Sequence, residues 1–222
     1  MQQSFLYALF ILFAFLLLVV IAHLLHTKLQ VPVDSSRKFL HITGGLLTLC
    51  MPLILPTHWW VLGLCLLAFF LLLFTYLLNY LQGIHGTKRK SIGSIIFPIP
   101  VYVCFLCSEI WNSNLLFYLP ICLLTLADPI AEWGGKKWGH LTISFFNHQK
   151  TLAGTMCFAI AAFVLSLSIS IAYNKTPTEI LMTSITVPVV SSLSELFSLK
   201  GWDNITVPIS SLLILLFVFF LV

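Results

Sequence analysis

Residues able to bind or move charge collect in four short stretches of this chain: RKFLH (37–41), KRKSIGS (88–94), ADPIAEWGGKKWGHL through HQKTLAGT (127–155), and ELFSLKGWDN (195–204). In the third, Asp128 and Glu132 stand four positions apart, so on a helix they share a face with Cβ atoms about 6 Å apart. Two carboxylates aimed the same way repel unless a cation or proton sits between them. Hard oxygen donors at a hydrated helix end suit Mg²⁺, which takes one or two carboxylates together with substrate phosphates. Gly134, Gly135 and Gly139 follow and permit close backbone approach, while Lys136 and Lys137 supply positive charge. A plain helix stop with snorkelling lysines explains those glycines and lysines but leaves the carboxylates without a purpose. Lys150 precedes a helix that Thr151 can cap, with Gly154 one turn in, and the exposed N–H groups of such a terminus favour a phosphate. Arg37 and His41 share a helical face, Lys38 lies beside them, and Gly44 and Gly45 follow. His41 fits a ligand, a base or a hydrogen-bonded interfacial residue. Gly93 and Ser94 open a helix behind the basic triplet Lys88, Arg89 and Lys90. Glu195 and Asp203 flank a short loop holding Lys200, with Asn204 beside Asp203, although Asp-Asn alone reads as a turn.

The elements between these stretches must be membrane helices. Charged residues make up 8% of the 222 positions and hydrophobic ones 59%, with a mean hydropathy of +1.04. That leaves too little polar surface to coat a soluble fold. The apolar runs are continuous and long rather than alternating over about ten residues, which excludes a β-barrel. The pattern predicts an all-α polytopic membrane protein, a bundle of about eight transmembrane helices over 4–25, 40–56, 59–81, 92–108, 114–133, 151–173, 178–198 and 205–222. Pro98, Pro100, Pro120, Pro129, Pro188 and Pro208 predict kinked or broken members. The span at 178–198 is the weakest, being rich in Ser and Thr, interrupted by Pro188 and ended by Glu179 and Glu195; it reads as a helix buried against protein. The first stretch lacks a basic leader and a small-residue cleavage site, so it reads as a helix, peripheral to a motif core over 37–208 within a single catalytic domain of residues 1–222. All six cysteines fall in apolar segments; Cys104 and Cys107 flank Phe105 and Leu106 and read as small apolar residues rather than a zinc or redox pair.

Basic residues set the orientation. Lys28, Arg37, Lys38, Lys88, Arg89, Lys90, Lys136, Lys137, Lys150 and Lys200, ten of the eleven, fall in odd-numbered loops, and only Lys175 falls in an even one. The positive-inside rule places the odd loops in the cytoplasm and both termini outside. All four polar stretches then share one face. The net charge of +4 is loop charge facing headgroups or phosphates, not a nucleic-acid surface.

Taken in order, RKFLH, SIGS with FP, LADPIAEWGGKKWG, KTLAGT and the Glu195 to DNITVP segment resemble the CTP-dependent lipid-alcohol kinases, the dolichol, phytol and CTP-using diacylglycerol kinases, which are related to the phosphatidate cytidylyltransferases. Pro129 and Ile130 depart from the small residue that often follows the Asp in that family. The resemblance implies an enzyme that passes the γ-phosphoryl group of CTP or another nucleoside triphosphate to the hydroxyl of a polyprenol, a phytol-like prenol or diacylglycerol. Mg²⁺ is the implied cofactor, with Mn²⁺ a substitute. The implied catalytic residues are Asp128, Asp203, Lys150 and His41. The metal would fall to Asp128, Glu132, Asp203 and Glu195. The phosphates would fall to Arg37, Lys38, Lys136, Lys137, Lys150 and Thr151, aided by Gly93, Ser94, Gly135, Gly139, Gly154 and Asn204. A cytidylyltransferase making CDP-diacylglycerol is the alternative, and a non-catalytic transporter or scaffold the third reading. The expected setting is a bacterial cell membrane with the active site facing the cytoplasm.

Overall fold

The computed structural model describes residues 2–85, 92–145, 148–199 and 201–221; Lys88, Arg89, Lys90 and Lys200 lie outside the described residues. Its helices are α1 (Gln2–Thr27), α2 (Val33–Thr48), α3 (Met51–Ile54), α4 (His58–Leu77), α5 (Gln82–His85), α6 (Gly93–Ile96), α7 (Pro98–Ile110), α8 (Leu115–Cys122), α9 (Asp128–Trp138), α10 (Leu152–Ala172), α11 (Pro177–Phe197) and α12 (Asp203–Leu221). A π-helical turn over Leu123–Ala127 joins α8 to α9, and an antiparallel hairpin, β1 (Thr142–Phe145) with β2 (His148–Thr151), joins α9 to α10. The all-α membrane class is borne out, with the hairpin as a small addition. TISF alternates polar and apolar residues as a strand does, whereas HQKT is polar throughout and carries no such signal.

Seven helical stretches among the described residues are long and apolar enough to cross a membrane: α1, α4, α6–α7, α8–α9, α10, α11 and α12. The Ser- and Thr-rich segment expected to be weakest is one of them, over Pro177–Phe197. Its hydroxyls lie inward: Thr183, Ser184 and Ser191 are buried, and Ser170 of α10 meets Thr183 at 2.9 Å. The segment expected over 40–56 is instead a broken pair. α2 has 16 residues, and α3 follows after a turn at Leu49 and Cys50, with Pro52 in its first turn.

The contacts define two ends of the bundle. At one, a Cβ on Gly83 of α5 would reach Ala22, His23 and His26 of α1, and His85 Nε2 lies 3.2 Å from Thr75 Oγ1 of α4. At the other, Phe5 rings Trp60 at 6.3 Å, the His58 backbone N–H donates to Glu109 Oε2 at 2.6 Å, and Trp111 meets Phe220 at 6.2 Å. The α2–α3 pair therefore runs from one end to the other, from Leu40, packed with Val19 and Ile84, to Leu55, packed in the cluster that holds Val61. Large apolar side chains such as Phe10, Phe13, Phe74 and Ile160 face outward, as a lipid-facing surface requires.

The α8–α9 stretch is the axis of the fold. In its most apolar window 61% of residues are buried, against 22–50% in the other spans. Leu116, Phe117, Leu119, Ile121, Leu123 and Leu124 are almost wholly enclosed. This central helix delivers Asp128 to the polar end.

Candidate active site

The π-helical turn is where the site begins. The Asp128 N–H reaches back five residues to the Leu123 carbonyl, so Leu124 loses the partner it would have in an α-helix. Its five-residue partner would be Pro129, which has no N–H to give. His41 of α2 fills the gap, donating from Nε2 to the Leu124 oxygen at 2.8 Å while its ring packs edge-on against Phe97. A single wide turn of this kind is characteristic of functional positions in helices. His41 thus holds the turn that presents Asp128, while also lining the cavity below.

Around Asp128 opens a cavity of about 1100 Å³. Its polar half is walled by Arg37, Lys38 and His41 of α2, Ser94 of α6, Asp128, Glu132 and Lys136 of α9, Gln149 and Lys150 of β2, and Glu195, Asp203 and Asn204. The four sequence-separated motifs therefore meet around one space. Its other half is apolar and descends between α1, α2, α4 and α7.

The carboxylates divide into two kinds. Glu132 is held by two lysines, Lys38 at 3.0 Å and Lys136 one turn along its own helix. Glu195, 4% exposed, forms an ion pair with Lys150 and accepts from Thr155 Oγ1 at 3.4 Å. Asp203 is 3.8 Å from the same lysine and accepts from the Asn204 N–H at 3.1 Å. Asp128 has no ion pair or hydrogen bond through its carboxylate among the described residues; it feels the repulsion of Asp203, Glu195 and Glu132 and the attraction of Lys150. Burial pulls the Lys150 ammonium down, but the adjoining Glu195 and Asp203 outweigh this and hold its pKa above the ordinary lysine value. It is a firmly charged lysine.

Among the described residues, Arg37 presents a buried Nη1 without a partner, and Ser94 a buried Oγ without one. Both line the cavity. A buried guanidinium nitrogen left unpaired is costly unless an anion completes it.

Of the other residues expected at phosphate, Gly93, Gly135, Thr151 and Gly154 line the cavity and also shape the backbone around it. Thr151 caps α10, its Oγ1 accepting from the Gly154 N–H at 3.2 Å. Gly135 and Gly154 let α9 and α10 touch backbone to backbone: a Cβ on Gly135 would stand 2.6 Å from Thr151 Oγ1, and one on Gly154 2.9 Å from the Ala131 carbonyl. Gly139 faces Thr151 in the same seam, away from the cavity, and Gly93 is packed against Asn204 and Gly201. Lys137 points away too, lying over Trp133 at 4.8 Å and Trp138 at 5.1 Å as an interfacial anchor. The four-carboxylate metal set also separates. No group of three or more His, Cys, Asp or Glu side chains able to hold an ion occurs among the described residues. All four carboxylates line the cavity; Glu132 and Glu195 are closely paired with lysines, Asp203 more distantly with Lys150, and Asp128 with none among the described residues.

Sequence reasoning missed the apolar half entirely. Ile11, Leu12 and Phe15 of α1, the helix expected outside the motif core, form part of its wall with Met51, Leu64, Cys65, Ala68, Leu72 and Val101. Nothing distinguishes these residues from lipid-facing ones in a chain this hydrophobic. Gln149 and Thr155 also escaped notice.

No family model matches the chain, and no solved structure matches it. A curated relative does: it is 28% identical over 200 residues to a phytol kinase of Synechocystis sp., covering 88% of this chain and 84% of the relative. The resemblance of the ordered motifs to the lipid-alcohol kinases is borne out by this match along most of both chains.

Proposed function

We propose that this chain is a kinase of membrane lipid alcohols, which transfers the γ-phosphoryl group of a nucleoside triphosphate, CTP, to an apolar alcohol at the cytoplasmic face of a bacterial membrane. One observation carries the reading. A single cavity joins an apolar descent into the membrane to a polar chamber where an unpaired carboxylate, Asp128, faces cationic groups. The relative named for phytol as acceptor supports an alcohol of this kind. Basic residues concentrated at that end support the cytoplasmic placement.

Phosphoryl transfer asks mainly for positioning and charge neutralisation. Arg37, with its unpaired Nη1, and Lys150, held charged between two carboxylates, grip phosphate oxygens from opposite walls. Asp128 and Asp203 suit Mg²⁺ arriving with the nucleotide, since two carboxylates plus phosphate oxygens meet its needs and neither is locked in a close ion pair. An ion held by these residues would supply positive charge that neutralises the phosphates. A carboxylate of this pair accepts the proton that the acceptor hydroxyl loses as its oxygen attacks the γ-phosphorus, while the bond from that phosphorus to the bridging oxygen breaks and CDP leaves.

The test is an assay of membranes or purified protein with CTP labelled at either end. Label in the γ-phosphate passing to lipid is expected. Label in the α-phosphate passing instead would establish the cytidylyltransferase and overturn the proposal, as would transfer of neither.

A further inference from the structure

Two adjacent glycines of α2 do opposite things. A Cβ on Gly45 would collide with Thr125 of the π-helical turn, so its bareness seats α2 against the central helix. A Cβ on Gly44 would meet no atom within 4 Å, although the residue is buried and lines the cavity. Its missing side chain is therefore part of the cavity. Below it, helical faces converge: Leu47 and Met51 from the α2–α3 pair, Ile11 from α1, and Leu64 and Cys65 from α4. Ile11 is 2% exposed and Met51 5%, so the arm is closed at this depth.

We propose that this arm is the seat of the acceptor's hydrocarbon chain, that α1 is its outer wall, and that Gly44 is the residue that admits the chain. The identity of the head group rests on the lipid-alcohol reading above; the seat itself rests on the cavity. From His41 to Thr48, the end of α2, is seven positions, a depth of about 10 Å at 1.5 Å per residue, and Met51 opens α3 beyond the turn. An extended chain advances about 1.2 Å per bond, so this depth takes roughly nine bonds of a single chain, and a chain of about twelve reaches past the turn toward Met51. A chain arriving from a bilayer gains little from leaving lipid, because the tails around it are as apolar as the arm. Selection is then by shape. A chain that fits presents its hydroxyl at the level of His41 and Asp128, and one that cannot descend holds its hydroxyl elsewhere.

Two measurements on the full chain in nanodiscs test this. In the first, dodecanol carrying a diazirine on its terminal carbon is photolysed with the wild-type protein. Adducts are expected on α1, α3 and α4 around Ile11, Met51 and Leu64; adducts confined to the outer faces of α10 and α11 overturn the seat. In the second, kcat/KM for dodecanol and for hexanol is compared in wild type, Gly44→Ala and Gly44→Phe. The dodecanol-to-hexanol ratio should fall at least tenfold in Gly44→Phe, within the roughly 10–200-fold that a methylene-scale mismatch produces, with Gly44→Ala between. An unchanged ratio overturns the role of Gly44. Adducts in the arm without transfer to either alcohol would uphold the seat while removing the kinase reading.

Discussion

Replacing Lys150 with Met removes the cation that three carboxylates share. The Lys150 side chain is 25% exposed and that of Glu195 only 5%, so the pair is largely withdrawn from water. At an effective dielectric constant of about 20, unit charges separated by the Lys150–Asp203 distance of 3.8 Å attract by about 4 kcal/mol. Glu195 lies closer still. Against this stands the cost of dehydrating the ammonium, and stripping one partner from a buried pair costs a net of about 3–5 kcal/mol. Because Lys150 borders the water-accessible chamber, the lower end applies, about 3 kcal/mol. For a chain of this size that lowers the melting temperature by roughly 6–12 °C. The assay is thermal unfolding in detergent of Lys150→Met, Glu195→Gln and the double variant. The double should recover most of the loss, since the stranded carboxylate is gone. Nucleotide kcat/KM should fall in Lys150→Met and in the double alike, by about 10²–10³-fold, because the phosphate has lost its charged donor in both. Wild-type melting in Lys150→Met, or a double variant no more stable than the single, would refute the argument that Lys150 stabilises a buried cluster.

Asp128→Asn should abolish γ-phosphoryl transfer while leaving the melting temperature equal to or above that of wild type, because the carboxylate has no close ion pair to lose and the repulsion of three like charges offsets the one attraction of Lys150; unfolding of this variant would show a structural role instead. Asp203→Asn should raise the Mg²⁺ concentration needed for half-maximal rate and alter the Mn²⁺ to Mg²⁺ rate ratio, and a rate indifferent to metal would remove it from the ion's site. Gly45→Ala should destabilise by about 1–3 kcal/mol through its collision with Thr125, whereas Gly44→Ala should melt like wild type; equal losses on thermal unfolding would contradict the packing described. Cysteine-accessibility labelling at positions 137 and 175 should report opposite sides of the membrane, with 137 cytoplasmic, and labelling from one side at both would break the topology.

What the sequence alone determined about this protein is its solvent and the inventory of its chemistry. Charged residues too sparse to coat a soluble fold made membrane helices necessary, because backbone groups in lipid must be satisfied within each helix. The few polar side chains then stood out against the apolar background, and Asp128, Lys150, Asp203 and Arg37 were readable for that reason as candidates, which the fold gathers around one cavity. Their division of labour was not readable, since it depends on which charges meet. Glu132 and Asp128 look equivalent four residues apart, yet Lys38 reaches Glu132 from another helix and leaves Asp128 unpaired. Gly135 and Gly154 line the cavity and also form a helix seam, and the seam was not readable because close approach is a property of two backbones and not of one. The helix break at Leu49 and Cys50, the π-helical turn held by His41, and the apolar arm walled by α1 were likewise decided by tertiary structure alone. Leu, Ile and Phe facing lipid and facing a cavity are chemically identical in sequence, and only packing separates them.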